Sequence, residues 1–370
     1  MDILAQIKNY TLAGYDWKSA LQNTEQEPEY HGEGNVWIHT MMVVESLLSD
    51  ADYKTLDQNE QKLLLLAAIL HDVAKPFCTK IENGRIKSPN HAVKGEIAAR
   101  RLLYKFGFMR ELFGELTFAE REKVCAMVRY HCLPWLFMEK GEKTIFKASL
   151  EVPPKYLYIL SRADINGRIS GGNINNLEII ELFRDFCIEN ECFDNAKTFS
   201  SESGRFAYFR SDTADLHYMP YEKDKFWVYM MSGIPATGKD TYISNHLQGI
   251  PVISLDALRL EMGVAPSENQ GVIVQEAKSR AKKLLAKKES FVWNATNITE
   301  KIRTSLVDMF ANYNAMTEII YVEAPVSELL KRNAQRAKPV PDNVIHRLID
   351  KLEVPKVWES HAVVCSALMR

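Results

Sequence analysis

Apolar positions recur at helical spacing over roughly the first half of the chain. Val36, His39, Met42, Val43 and Leu47 share one face of a helix that Asn35 is placed to cap. Residues 60–75 predict a buried helix stopped by Pro76. Ser88-Pro89 predicts a helix start, with the serine as cap and the proline in the first turn, running on through His91, Ile97 and Leu102. Residues 121–131 predict a further helix ending near Pro134, and residues 154–163 another, ending at Asp164-Ile-Asn-Gly. No strand pattern interrupts them, so residues 1–190 read as an all-α bundle. Residues 191–225 are irregular and polar, but Phe193, Phe199, Phe206, Tyr208, Phe209, Tyr218 and Tyr221 make them too aromatic for a flexible linker. They predict an ordered connector packed on one or both neighbours. From Phe226 the period changes. Residues 226–231, 251–255, 290–295 and 317–323 predict strands separated by helices, which implies an α/β domain over 226–370 with a parallel sheet covered on both faces.

Composition adds limits rather than direction. The chain has 370 residues, 46% of them hydrophobic and 25% charged, enough for two domains with their own cores. A formal net charge of -2 gives no general attraction to nucleic acid or membrane, so a polyanionic partner must meet local basic patches. The cluster of Lys and Arg at 278–288 is one candidate; a solvated helix face is the simpler reading. The six cysteines include no Cys-x-x-Cys pair and read as reduced thiols. The N-terminus lacks a signal-peptide pattern, and the longest apolar run, residues 63–70, is far too short to span a bilayer. A cytoplasmic protein with no membrane association is expected.

Five of the nine histidines, His31, His39, His71, His91 and His131, fall before residue 132. A lone histidine on a buried helix is ordinarily a satisfied core residue. The doublet His71-Asp72 is different, because it ends the apolar run and places an ionised carboxylate where water is scarce. A divalent cation compensates such a charge, and mixed imidazole and carboxylate ligands suit Mn, Fe, Co, Ni or Zn better than Ca. With His39 before the doublet and Asp164 in Ser161-Arg-Ala-Asp-Ile-Asn-Gly-Arg168, residues 30–168 resemble the HD phosphohydrolase superfamily. The run from Glu29 through His31 and Glu33 to His39 is similar to the HD domain attached to bacterial tRNA nucleotidyltransferases. The resemblance implies one metal held by His39, His71, Asp72 and Asp164. It implies a second ion at His91 and His131, with Asp72 bridging. One or two such cations would polarise a phosphoryl group and acidify a bound water. Lys75 then either contacts a phosphate oxygen or is a helix-end cation; His31 and Glu33 are candidates for orienting substrate.

In the second half, Gly233-Ile-Pro-Ala-Thr237-Gly238-Lys239 lies between a predicted strand and a predicted helix, the context a phosphate-binding loop needs. The glycines turn backbone N–H groups onto phosphates, the helix N-terminus favours the anion, and Lys239 reaches the β- and γ-phosphates. Asp240 stands where a hydroxyl ordinarily meets Mg²⁺; Asp240 itself or Thr241 is left to serve the ion. Asp256, at the end of the next strand, is either a general base for an acceptor hydroxyl or a helix cap. This loop, Ser254-Leu-Asp256-Ala-Leu-Arg259, Trp293-Asn-Ala-Thr-Asn297 and Leu330-Lys-Arg332-Asn-Ala-Gln-Arg336 together resemble the 5′-hydroxyl polynucleotide kinase family over residues 226–359. That resemblance implies Asp256 as general base and Arg259 steadying it. Arg332 and Arg336, one helical turn apart, would form a lid on the donor phosphates. The donor is expected to be ATP or another NTP with Mg²⁺.

The two halves together resemble the bifunctional end-healing enzymes of the HD-Pnk family. The resemblance implies an all-α HD bundle followed by an α/β P-loop kinase. It also implies phosphorylation of 5′-OH ends of RNA or DNA, removal of 2′,3′-cyclic, 2′- or 3′-phosphates, and a functional link to a ligase. Two other readings remain. A small-metabolite or nucleoside kinase fused to a nucleotide phosphohydrolase uses the same chemistry on other substrates. In the third reading, the HD region recruits RNA without hydrolysis.

Overall fold

A computed structural model describes residues 2–170, 173–213, 215–220, 225–265, 268 and 270–367. It divides into two compact units, residues 1–198 and 199–370. The stretch 191–225 is shared out between them. Phe193 carbonyl accepts from Lys155 N, and Phe193 stacks edge-on with Tyr158 in the first unit. Ser201 caps helix Glu202–Arg210 of the second unit, where Phe206 joins the core and lies 4.0 Å from the His361 ring. Tyr221 lies outside the described residues.

The first unit is built from helices, as its apolar spacing predicts. Asn35 Oδ1 accepts from Ile38 N and caps helix Val36–Ser49. Asp57 and Glu60 form a reciprocal capping box that starts helix Gln58–Leu70. Every residue of the run Leu63–Leu70 is buried. Each leucine there contributes roughly 1.5–3 kcal/mol by leaving water, so packing rather than helix propensity fixes the element. Three expectations need correction. The helix ends at Leu70, with His71 as its C-cap, and Pro76 sits inside a following 3-10 turn, Lys75–Phe77. The chain leaves the helix at the doublet, before Pro76 can act. The helix read from Ser88-Pro89 starts only at His91, with Asn90 at its N-cap, so neither Ser88 nor Pro89 opens it. A small hairpin also interrupts the helices: β1 (Lys80–Glu82) pairs antiparallel with β2 (Arg85–Lys87). Asn83 and Gly84 both take positive φ (53° and 75°) in the turn, a combination this dipeptide tolerates and most others do not.

The second unit has one five-stranded parallel sheet in the order β4-β5-β3-β6-β7. The strands are β3 (Trp227–Ser232), β4 (Val252–Ser254), β5 (Phe291–Asn294), β6 (Met316–Glu323) and β7 (Ala362–Ala367). The first four fall where the apolar runs predict; β7, partly exposed along its length, was not expected, although Ala362-Val-Val-Cys365 is a short apolar run. Buried side chains from β3, β5 and β6 pack against helices such as Gln270–Ala286 and Glu300–Ala311. The carboxyl ends of β3, β4, β5 and β6 bring together the loops that carry the candidate kinase residues, where open α/β sheets hold ligands. Among the described residues no helix is long and apolar enough to cross a membrane.

Candidate active sites

In the first unit five separate elements converge. His39 lies on helix Val36–Ser49; His71 and Asp72 follow helix Gln58–Leu70. His91 opens helix His91–Arg100, His131 closes helix Phe118–Tyr130, and Asp164 lies near the end of helix Pro154–Asn166. His39 Nε2 is 3.1 Å from Asp164 Oδ1, 3.3 Å from His71 Nε2 and 3.6 Å from Asp72 Oδ2. His71 Nε2 is 3.2 Å from the same Asp72 oxygen. The other oxygen, Oδ1, faces a second pair: His91 Nε2 at 3.5 Å and His131 Nε2 at 4.0 Å, themselves 3.3 Å apart. The structure therefore brings all six predicted metal-ligand candidates together, with Asp72 between two groups.

The orientation of the rings explains what the cluster can hold. Nδ1 of His71, His91 and His131 faces the carbonyl oxygens of Ala68, Ser88 and Val128 at 2.7, 2.9 and 2.8 Å. His39 Nδ1 faces Glu33 Oε1 at 3.0 Å and Gly167 O at 3.2 Å. An N–H at Nδ1 satisfies these oxygens, which leaves Nε2 of each neutral ring as a lone pair aimed inward. Lone pairs facing one another at 3.3 Å repel unless a cation lies among them. Both Asp72 carboxylate oxygens are buried without a hydrogen-bond partner among the described residues; Lys75 Nζ stands 2.7 Å from Oδ2. An orphaned buried carboxylate and inward imidazoles fit one or two divalent transition metals.

The electrostatics favour neutral rings at His91 and His131 and ionised carboxylates at Asp72 and Asp164. Burial pushes His131 down to about 3, assisted by the neighbouring His71 and His91, and burial also lowers His91. Burial opposes charge on His71, but Asp72 beside it outweighs that and raises its pKa. Burial likewise works against the Asp72 and Asp164 carboxylates, yet Lys75 and Arg168 respectively hold them well below the usual range.

Several partners at this site were not expected. The Glu33 side chain is buried and turned onto two imidazoles. Its Oε1 meets Nδ1 of both His31 (2.8 Å) and His39, and its Oε2 accepts from Ile169 N. Arg168 pairs with Asp164 one turn away, a spacing legible in the helix. Cys132 lies beside His131 and His91, and only its adjacency to His131 hinted at this. Lys75 donates to Gln26 Oε1 at 2.6 Å as well as facing Asp72, so it is bound into the site.

In the second unit the loop after β3 closes on itself. Gly233 has φ 145°, and a Cβ there would lie 2.4 Å from Val322 O, so no larger residue fits. Gly233 N donates to Thr296 O, and the buried Thr237 hydroxyl donates to Ile234 O. Gly238, also at positive φ (105°), is the N-cap of helix Lys239–His246. Lys239 Nζ lies over the loop, donating to Gly233 O (2.8 Å) and Ile234 O (2.9 Å). Burial pushes its pKa down to about 8, although Asp240 and Asp256 act to raise it. Asp240 sits in the first helical turn, and its Oδ1 accepts from Asn294 Nδ2 at the end of β5, 2.7 Å away. Thr241 is exposed.

The helix-cap alternative for Asp256 does not hold. Ser254 caps helix Leu255–Glu261, with Oγ accepting from Ala257 N, while the Asp256 side chain is 77% exposed and paired with Arg259. Arg259 is fixed in turn by Gln270 Oε1 at 2.8 Å. Arg332 reaches the loop: a Cβ on Gly238 would lie 3.7 Å from Arg332 Nη1. Its Nε donates to Glu328. Arg336 is not one helical turn along from it, because helix Val326–Ala334 ends first. Arg336 stands in the following loop, which Asn333 pins by a reciprocal pair of bonds with Val340, and it is close enough to act on the charge of Lys239.

Sequence comparison matches residues 36–165 to the HD domain family and residues 228–355 to a family described as an AAA domain. The chain joins an HD domain to a P-loop kinase-type domain. Over 134 residues it is 25% identical to an L-seryl-tRNA(Sec) kinase from Methanococcus maripaludis, a match covering 34% of this chain and 52% of that protein. The chain thus spans about half the length of that curated relative. Two solved structures also align. A candidate kinase from Chloroflexus aurantiacus has 18% identity and a TM-score of 0.32, over 39% of this chain and 85% of its own. An unliganded sugar kinase from Janibacter has 13% identity and a TM-score of 0.31, over 39% and 86%. The metal-ligand candidates His39, His71, Asp72, His91, His131 and Asp164 all lie inside the HD match, and the phosphate loop, Asp256, Arg259, Arg332 and Arg336 inside the other.

Proposed function

We propose that the chain heals nucleic-acid ends: the P-loop domain phosphorylates a 5′-hydroxyl with an NTP and Mg²⁺, and the HD domain hydrolyses 2′,3′-cyclic, 2′- or 3′-phosphate ends. The observation that carries this reading is the state of Asp256. Its helix is already capped by Ser254, so its exposed carboxylate, steadied by Arg259, is free to take a proton from an acceptor hydroxyl. On the donor side, Gly233, Thr237, Gly238 and Lys239 cradle phosphate oxygens through the loop and the helix N-terminus. Asp240, held by Asn294, with Thr241 beside it, takes the Mg²⁺ role that a hydroxyl ordinarily fills. Arg332 and Arg336 bring positive charge to the phosphoryl group in transfer.

In the HD domain His39, His71, Asp72 and Asp164 would hold one divalent cation such as Mn, Fe, Co, Ni or Zn, and His91 and His131, with Asp72, would serve a second. Bound there, such a cation supplies Lewis acidity toward a phosphoryl oxygen and lowers the pKa of a coordinated water. The protein's own contribution is positioning: Glu33 holds His39, Arg168 holds Asp164, and Lys75 offsets the Asp72 charge beside the phosphate position. RNA or DNA ends are the expected partners, a ligase the expected next enzyme, and the cytoplasm the expected compartment.

A second reading keeps both chemistries but moves the acceptor. One similar protein is named an L-seryl-tRNA(Sec) kinase, and seryl-tRNA, nucleosides or small metabolites offer acceptor hydroxyls too. Label transfer from a γ-labelled NTP decides between them. A 5′-OH oligonucleotide is expected to be labelled, and an oligonucleotide with a 2′,3′-cyclic phosphate to be opened and dephosphorylated. Transfer to a nucleoside or seryl-tRNA with none to the oligonucleotide sinks the end-healing reading.

A further inference from the structure

Beside the second imidazole pair stands a sulfur that the phosphohydrolase reading leaves unused. Cys132 follows His131 at the entry to helix Leu133–Lys140. Its Sγ lies 3.0 Å from His131 Nε2 and 3.7 Å from His91 Nε2. Asp72 Oδ1, 3.5 and 4.0 Å from the same two nitrogens, is buried and without a hydrogen-bond partner among the described residues. Sγ and Asp72 Oδ1 therefore each lie within 4.0 Å of both nitrogens. The neighbouring group, at His39, His71, Asp72 and Asp164, offers two nitrogens and two carboxylates and no sulfur.

A simple hydrogen bond from the thiol to His131 does not account for the arrangement. One S–H satisfies one acceptor, whereas the lone pairs of His91 and His131 face each other at 3.3 Å and the Asp72 oxygen still has no donor. We propose that Cys132 is a thiolate ligand of the second cation position, so that the two positions of the HD site differ in chemistry. One is a harder set of two imidazoles and two carboxylates; the other is a softer set of two imidazoles, a thiolate and the shared Asp72. The inference rests on the metal-dependent reading of the HD domain and adds a ligand and a selectivity to it. As the Sγ–metal bond forms the thiol proton passes to solvent, with no oxidant or reductant involved. The softer set prefers Zn²⁺ or Co²⁺ over Mn²⁺ or Mg²⁺.

Cobalt substitution of the full-length chain, stripped of metal and kept free of nucleotide, tests this. Co²⁺ titration followed by absorption is expected to fill two positions, with an intense near-ultraviolet thiolate-to-cobalt charge-transfer band accompanying only one of them. In Cys132→Ser, whose fold is checked by far-ultraviolet circular dichroism, the band is lost and that position weakens by roughly tenfold or more. Two cobalt ions bound to the native chain without the band would overturn the proposal, as would a band that survives in Cys132→Ser. A native chain that binds no cobalt would overturn the metal-dependent reading itself, a failure distinct from the missing band.

Discussion

Lys239 illustrates how one buried charge sets a measurable property. Burial holds its pKa near 8 while the loop carbonyls of Gly233 and Ile234 accept its protons. Nucleotide phosphates favour the protonated form. Below about pH 8 the free protein already carries that proton; above it, binding must take one up. Nucleotide affinity is expected to be level below pH 8 and to fall by up to about tenfold per pH unit above it. Calorimetry in buffers of different ionisation enthalpy checks this, since proton uptake at pH 9 but not at pH 7 is the signature. Glu33 offers a second case. Its carboxylate holds Nδ1 of His39, and Glu33→Ala leaves that ring only the longer contact to Gly167 O. Cation affinity of the HD site is expected to drop by about 10–100-fold, read by competition with a chromophoric chelator. An unchanged affinity would show that the ring needs no such support.

Among the elements, the crossing of helix Val36–Ser49 and helix Pro154–Asn166 carries the HD site, because it sets the distance between His39 and Asp164. Gly167 closes the second of these helices, and a Cβ there would lie 2.7 Å from Val43 N and 2.8 Å from Val43 Cα. Its φ is ordinary, so the need for glycine is close approach alone. Gly167→Ala is expected to force the helices apart, costing about 1–3 kcal/mol and lowering metal content although no ligand is changed. Denaturant unfolding and metal analysis on the same preparation check both effects. The Asn83-Gly84 hairpin and β7 are elements of the opposite kind. The turn chemistry of the hairpin was present in the sequence, but its strands are three residues each with one apolar residue apiece, too short to show a period. β7 begins with a short apolar run, Ala362-Val-Val-Cys365, and its place in the sheet is set by pairing with β6.

For the whole molecule, two units with separate cores each hold one candidate site. Asp72→Ala is expected to abolish phosphate-ester hydrolysis while leaving NTP-dependent phosphorylation within about twofold. Lys239→Ala is expected to do the reverse, with a loss of at least about a hundredfold in phosphoryl transfer. Running both assays on both variants tests the division of labour; loss of both activities in either variant would count against it. Arg303 shows why the kinase-type unit tolerates few changes near its loops. It is wholly buried, bidentate to Glu359, and also donates to the carbonyls of Asn297 and Glu353, so it ties the loop after β5 to the chain leading to β7.

Much of this was legible in the chain itself. Helical spacing over the first half, alternating strands and helices over the second, and the glycine pattern of the phosphate loop are local features. They depend on backbone dihedrals and on which face of an element is apolar, and both are written in neighbouring residues. The ligand candidates were also visible as residue types, but their grouping was not. His39 meets Gly167 across 128 positions, Glu33 turns inward onto His39, and Cys132 gains its place only when helices His91–Arg100 and Phe118–Tyr130 come together. Arg336 likewise lost its predicted turn of helix to a loop pinned by Asn333. Such pairings follow from how whole elements pack, where a shift of one ångström in a helix crossing moves a ligand on or off a metal, and no short stretch of sequence encodes that distance.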